Sequence, residues 1–164
     1  MPLEMIISGG QTGADQAGLF AAKKYKIKTG GFAPEGWMTL DGPNKKLLKN
    51  RFGLAELKGG GYPQRTWANV IISDGTIRFA VTFNTAGERC TRQAIKYCNK
   101  PHFDIDLKKE DDKETEKVAM WIEKNSIHVL NVAGNSEGRK GYTDIHERTY
   151  NRMCKILEYL KTKG

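Results

Sequence analysis

Residues 5–25 read MIISGGQTGADQAGLFAAKKY. The stretch begins as a buried strand, Met5-Ile6-Ile7-Ser8, and ends as a helix rich in alanine. Between them sits Gly9-Gly10-Gln11-Thr12-Gly13. A tight turn needs one glycine or two. Three glycines with an amide and a hydroxyl call for a further reason, either close packing or a group bound there. The helix, expected over residues 12–24, carries Ala14, Ala17, Gly18, Ala21 and Ala22 as its apolar stripe. Residues that small let a helix lie close on a sheet, as crossover helices do in a strand-helix-strand unit.

The same alternation runs along the chain. Strands are expected at 3–8, 28–30, 76–83, 102–105 and 127–132. Helices are expected at 64–73, 88–99, 112–125 and 143–161. Residues 64–73, QRTWANVIIS, also suit a strand, but the shared helical face of Thr66, Asn69, Val70 and Ser73 favours a helix. Residues 31–62 hold seven glycines and two prolines and are expected to be irregular, either an ordered functional segment or a surface excursion. Alternating strands and helices, with near-continuous apolar strands, predict an α/β fold whose parallel sheet is covered on both faces.

The 164 residues suit a single domain, 1–164. No run of about 18 apolar residues crosses a membrane, and the first residues do not resemble a secretory signal. Cys90, Cys98 and Cys154 form no CxxC pair, which suits reduced thiols in the cytoplasm. His102, His128 and His146 are scattered, so no metal site is expected. The net charge of +8 favours anionic partners. The lysines are dispersed and no basic, aromatic groove stands out, so nucleic acid is not the expected partner.

In an open parallel sheet, ligands bind beyond the carboxyl ends of the strands. Three polar loops leave those ends: SGGQTGAD, NTAGERCT and AGNSEGR. The first is expected to cradle a phosphate, with bare amides at Gly9 and Gly10, a close helix at Gly13, and free N–H groups at the helix start. Thr12 would cap the helix or donate to the phosphate. Asp15 would complement the helix dipole or accept from the ligand. Gly87 and Thr91 repeat the glycine-then-hydroxyl pattern after a later strand. The loop is neither a Walker loop nor GxGxxG, and no ribose-binding acid follows the second strand.

ISGGQTGADQAGL, with GGFAPEGW, FGLAEL, RTWANVIISDGT and LNVAGN, resembles the molybdenum cofactor carrier-like family. That family belongs to a wider set of Rossmann-like nucleotide and ligand sensors that includes the lysine-decarboxylase-like, cytokinin-activating phosphoribohydrolases. The resemblance implies a Rossmann-like three-layer αβα sandwich with a mainly parallel sheet. It also implies a phosphate-bearing ligand, a pterin-type molybdenum cofactor or a nucleotide. Position by position it picks out Gly9, Gly10, Gln11, Thr12, Gly13 and Asp15. A second group is Arg65, Thr66, Asn69, Ser73, Asp74 and Thr76, a third is Thr85, Gly87 and Thr91, and a fourth is Asn131, Ala133, Gly134 and Asn135. The chain departs from relatives at Ala86-Gly87-Glu88-Arg89, where a Gly-Thr pair is usual. It departs again at Asn135-Ser136-Glu137-Gly138-Arg139, where Pro-Arg-Glu-Ser often follows.

The expected function is therefore to bind, and carry or sequester, a small phosphorylated ligand. With no nucleophile-base pair in view, catalysis is not the leading expectation. An N-glycosidase is the alternative, with Asp15, Asp74 and Glu88 as its candidate carboxylates, although PGGxGTxxE is missing. A sponge or sensor for a nucleotide second messenger, of viral use, is a third. Val118, Met120, Trp121 and Ile122 exceed one helix stripe, and with the resemblance they predict a homo-oligomer, dimer or tetramer.

Overall fold

The structure is a computed structural model, and it describes residues 2–138 and 143–163. Arg139, at the end of the third expected loop, and the three residues after it lie outside the described part. In chain order the elements are β1 (Met5–Ile7), α1 (Ala14–Lys24), β2 (Lys28–Gly30), β3 (Phe32–Pro34), β4 (Met38–Thr39), β5 (Gly42–Pro43) and β6 (Ala55–Leu57). Then follow α2 (Tyr62–Ile72), β7 (Gly75–Ala80), α3 (Ala86–Cys98), β8 (His102–Asp106), α4 (Glu114–Lys124), β9 (Val129–Gly134) and α5 (Ile145–Lys163). Five strands form one sheet in the order β2-β1-β9-β7-β8, and every pairing in it is parallel. The fold is an α/β, Rossmann-like three-layer sandwich.

The sheet's two faces differ. On β7, β8 and β9 the side chains alternate. Ile77, Phe79, Ile105, Leu130 and Val132 join the main core with Ala14 and Ala21 of α1, Val118 and Ile122 of α4, and Ile156 and Leu157 of α5. The opposite face presents Thr76, Arg78, Asp104 and Asn131, and α2 and α3 cover it. The β-branched and aromatic residues thus make strands by packing on one side, while the other side holds polar groups that must be bonded. Gly18 shows how close α1 lies: a Cβ there would come within 2.7 Å of Val132.

Residues 31–57 are not irregular as expected. β3 pairs with β6 and β4 with β5, and six residues, Lys46–Arg51, form a wide helical turn. Leu19, Ala33, Trp37, Leu48, Phe52 and Leu54 bury together as a second core against α1. Full burial of a large apolar side chain is worth roughly 1.5–3 kcal/mol, and this second core holds the excursion on α1. The segment's glycines hid its regularity. Gly31, Gly36, Gly42, Gly53 and Gly59 all sit at positive φ, at the corners between short elements.

α2 is a helix, as the shared face of Thr66, Asn69, Val70 and Ser73 predicts; Asn69, Val70 and Ser73 are buried and Thr66 is half-buried. Its last carbonyls are closed by Lys100, whose Nζ donates to Val70, Ile71 and Ser73. On α4, Trp121 packs on Phe103 at 5.7 Å between ring centroids. Met120 remains as the apolar residue left over, 56% exposed.

Candidate functional site

Crossovers from β1 and β7 run in opposite directions across the sheet, β1 toward β2 and β7 toward β8. A crevice opens where they part, above the carboxyl end of β9. It holds a cleft of about 610 Å3, with walls from the β1–α1 loop, α2, the start of α3, and the chain leaving β9. Tyr62 and Leu40 edge it.

Much of the β1–α1 loop bonds within the protein. The Gly10 amide donates to Ser8 Oγ, the Gln11 amide to Asp15 Oδ2, and the Thr12 amide to Gln11 Oε1. The first α1 amide, Ala14, donates to the carbonyl of Asn135 at 3.0 Å. Gln11 Oε1 also accepts from Leu40, tying the 31–57 excursion to the loop. Thr12 Oγ1 accepts from the Glu137 amide. The glycines serve these approaches. A Cβ at Gly9 would lie 1.9 Å from Arg65 Nη1, one at Gly10 2.8 Å from Leu48, and one at Gly13 2.4 Å from the Asn135 carbonyl. Gly10 and Gly13 have φ of 76° and 87°.

The residues of the expected cradle divide between the cleft and its backing. Gly9, Gln11 and Asp15 face the cleft. Gly10, Thr12 and Gly13 lie behind its wall, where valine at Gly10 would strike Leu48 and Leu54 rather than a ligand.

Asp15 is nearly fully buried and forms an ion pair with Arg65 at 2.9 Å. Burial pushes its carboxyl above the ordinary range, against the opposing pull of Arg65 and the Gln11 amide. The pair fastens α2 to α1 and fixes the guanidinium at the cleft. Thr66 and Asn69 line the same wall. Asn69 is bonded through both ends of its amide to Phe32, so its main work is to hold β3.

The floor is Asn131, Ala133, Gly134 and Asn135. Asn131 donates to Thr76 Oγ1. Gly134 presses on β7, where a Cβ would lie 1.9 Å from the Phe79 carbonyl. Asn135 joins three elements: its Oδ1 accepts from Val81, its Nδ2 donates to Thr82, and its carbonyl receives Ala14.

The start of α3 is open by contrast. Thr85 caps the helix, its Oγ1 accepting from the Glu88 amide at 3.1 Å. Among the described residues the Ala86 and Gly87 amides meet no backbone acceptor. A Cβ at Gly87 would find nothing nearer than Thr85 Oγ1 at 3.9 Å. Thr91 turns its hydroxyl to the Gly87 carbonyl. Beside it, burial raises the Cys90 thiol above its ordinary range, so it stays protonated at neutral pH.

Asp74, an expected site residue, lies away from the cleft. It precedes β7 at the opposite edge of the sheet, and its Oδ2 accepts from the His128 and Val129 amides where β9 begins. A parallel sheet carries the two ends of one strand to opposite edges, and the helix-break-strand pattern around SDG already places this residue at the entry. Ser73 shares that edge, its Oγ bonded to the Val70 carbonyl.

Two more residues bear on the cleft: Arg78, absent from the expected set, and Glu88, expected only as a candidate glycosidase carboxylate. Arg78 is buried within β7 and holds Asp104 through two bonds, of 2.7 and 2.6 Å. Its Nη1 donates to the Glu88 carbonyl. Glu88 turns inward and lines the cleft, only 3% exposed. Burial, outweighing the attraction of Arg78, lifts its carboxyl to about 7. A charged residue inside TIRFAV was the available signal, since a buried guanidinium requires carboxylates around it.

Among the described residues no group of three His, Cys, Asp or Glu side chains is placed to hold a metal. No described helix is long and apolar enough to cross a membrane.

Fold and cleft together define a Rossmann-like α/β protein with a cleft at the strand switch point. The chain belongs to the circularly permutated YpsA SLOG family, whose sequence model matches residues 6–157. The chain also resembles a solved structure at 1.45 Å resolution, of a protein from Syntrophus aciditrophicus SB named a putative molybdenum carrier protein. The two are 31% identical over 95% of each chain, with a TM-score of 0.81. These matches support the molybdenum cofactor carrier-like resemblance of the sequence. Among curated proteins none matches the chain.

Proposed function

We propose that the protein binds a small phosphate-bearing, nucleotide-like molecule in the cleft and carries or sequesters it. The observation that carries this reading is the open start of α3, where uncommitted amides and a bare Gly87 face a cleft of ligand size. A helix start of this kind attracts an anion, and Arg65 adds a fixed cation on the facing wall. A pterin-type molybdenum cofactor carries such a phosphate and fits as cargo, in keeping with the name of the similar structure. A nucleotide or nucleotide second messenger fits the same chemistry.

Native mass spectrometry of gently purified protein tests the reading. A retained adduct whose fragments include phosphate is the expected result. A bare chain mass, with no thermal shift from any nucleoside monophosphate, would contradict it. Release of free base from those nucleotides would instead make the protein a glycosidase.

The free thiols Cys90, Cys98 and Cys154 suit work in the reducing cytoplasm. We further propose a homo-oligomer. The apolar surface that supports it is Ile71 and Ile72 of α2 with Tyr97 of α3, the last 82% exposed. Light scattering should give a multiple of 18.4 kDa.

A further inference from the structure

The start of α3 reads Thr85-Ala86-Gly87-Glu88, the pattern of a capping box. Only half of the box is made. Thr85 accepts from the Glu88 amide, but the Glu88 side chain turns away from the helix start and lies buried at the cleft.

There its bonding is incomplete. Oε2 has one long contact, 3.5 Å from Asn135 Nδ2. Oε1 is buried and accepts no hydrogen bond among the described residues. Arg78 Nη1 is 3.9 Å from it, beyond hydrogen-bond reach, and that nitrogen already donates to the Glu88 carbonyl. The other Arg78 donors are held by Asp104. Asp15, across the cleft floor, and Asp104 add negative potential rather than a donor. A buried oxygen without a donor is costly, so the protein keeps here a group that something else must satisfy.

Dinucleotide-binding sheets place an acid after the second strand to hold the ribose hydroxyls. This chain has none there: β2 ends at Gly30, and a Cβ at the next residue, Gly31, would lie 2.3 Å from the Ser8 carbonyl. Ala86, Gly87 and Glu88 line one cleft, so a phosphate on the first two amides would leave the sugar attached to it in the space that Glu88 borders.

We propose that Glu88 is the sugar anchor of this pocket, its carboxyl accepting a hydrogen bond from a hydroxyl of a ribose phosphate, so that the site selects ribose over deoxyribose. The inference rests on the phosphate reading above. A hydroxyl donor gives Oε1 its missing partner, and no other described carboxylate at the cleft is free for this: Asp15 is taken by Arg65 and the Gln11 amide.

The test is calorimetric titration of the full chain with AMP, 2′-deoxy-AMP and 3′-deoxy-AMP, in the parent, Glu88→Met and Glu88→Gln. The parent should bind AMP at least about tenfold more tightly than one or both deoxy analogues, the size of a hydrogen bond to a charged group. Glu88→Met should reduce that preference to within about twofold while still binding the deoxy analogues as the parent does. Glu88→Gln, a neutral acceptor of the same shape, should keep an intermediate preference and guards against misfolding of the methionine variant. Equal binding of the three nucleotides by the parent overturns the proposal, as does an undiminished preference in both variants. Binding of none of them by the parent overturns this proposal, while the phosphate reading falls only if native mass spectrometry also shows a bare chain.

Discussion

α1 and α3 begin alike in sequence: a strand, a polar turn with glycine and threonine, then a helix. Their starts differ in how much of the loop is bonded within the protein, although the Gly13 and Asp15 amides of α1 also meet no acceptor among the described residues. At α1 the amides of Gly10, Gln11, Thr12 and Ala14 are all bonded within the protein, and its glycines let Arg65, Leu48 and the chain after β9 come close. At α3 a single glycine faces open space and two amides stay uncommitted. The loop richer in glycine thus spends its glycines on close packing, while the plainer loop leaves its glycine open to the cleft. Glycine content reports close approach of atoms, and only the structure says whether those atoms are the protein's own.

The sharpest way to break the contrast is a pair of alanine substitutions. Gly13→Ala should cost at least about 3 kcal/mol, because its Cβ would overlap the Asn135 carbonyl at positive φ. Gly87→Ala lies in a helix with room around it and should change stability by less than about 1 kcal/mol. Urea unfolding measures both, and equal tolerance of the two would erase the distinction.

The next effect concerns pH. Glu88 has its carboxyl raised to about 7 in the fold, from 4.5. Between those values the folded protein holds a proton that the unfolded chain releases. The stability this group contributes is present below pH about 4.5 and is lost as pH rises through about 7. The loss is on the order of 3 kcal/mol. Glu88→Gln should therefore become progressively more stable than the parent from pH 5 to pH 8, in parallel unfolding series. A margin that does not grow over this range would mean that the carboxyl is ionised throughout. A smaller effect belongs to the cap: Thr85→Ala should cost about 1 kcal/mol by freeing the Glu88 amide, again by urea unfolding.

Much of the fold was legible because strand and helix periods are local. The crossover helix over α2 followed from the spacing of Asn69, Val70 and Ser73, and the parallel sheet followed from the alternation of elements. Residues 31–57 were not legible, since a core such as Trp37, Phe52 and Leu54 on Leu19 joins residues far apart in sequence and each element there is short. At the cleft, the three loop segments were foreseen on one edge. The roles within them were not. Thr12 and Gly13 look like a cradle in sequence, yet they receive the chain after β9, and no local pattern announces a contact with Asn135 and Glu137. Arg78 and Glu88 were legible in part. An arginine inside an apolar strand and an acid in a capping-box position each signal something, but only the register of Arg78 with Asp104 on β8 shows why they are buried together.

The central claim is that ligand meets the start of α3 and not that of α1. Amide chemical shifts of nitrogen-15-labelled protein, followed during titration with AMP, test it directly. The largest changes should fall on Ala86 and Gly87, with the Gly134 and Asn135 amides following. Gly10, Gln11 and Thr12, whose amides are already bonded, should move little. Large shifts at Gly10 to Ala14 with Ala86 and Gly87 unmoved would contradict the account and return the phosphate to the glycine-rich loop.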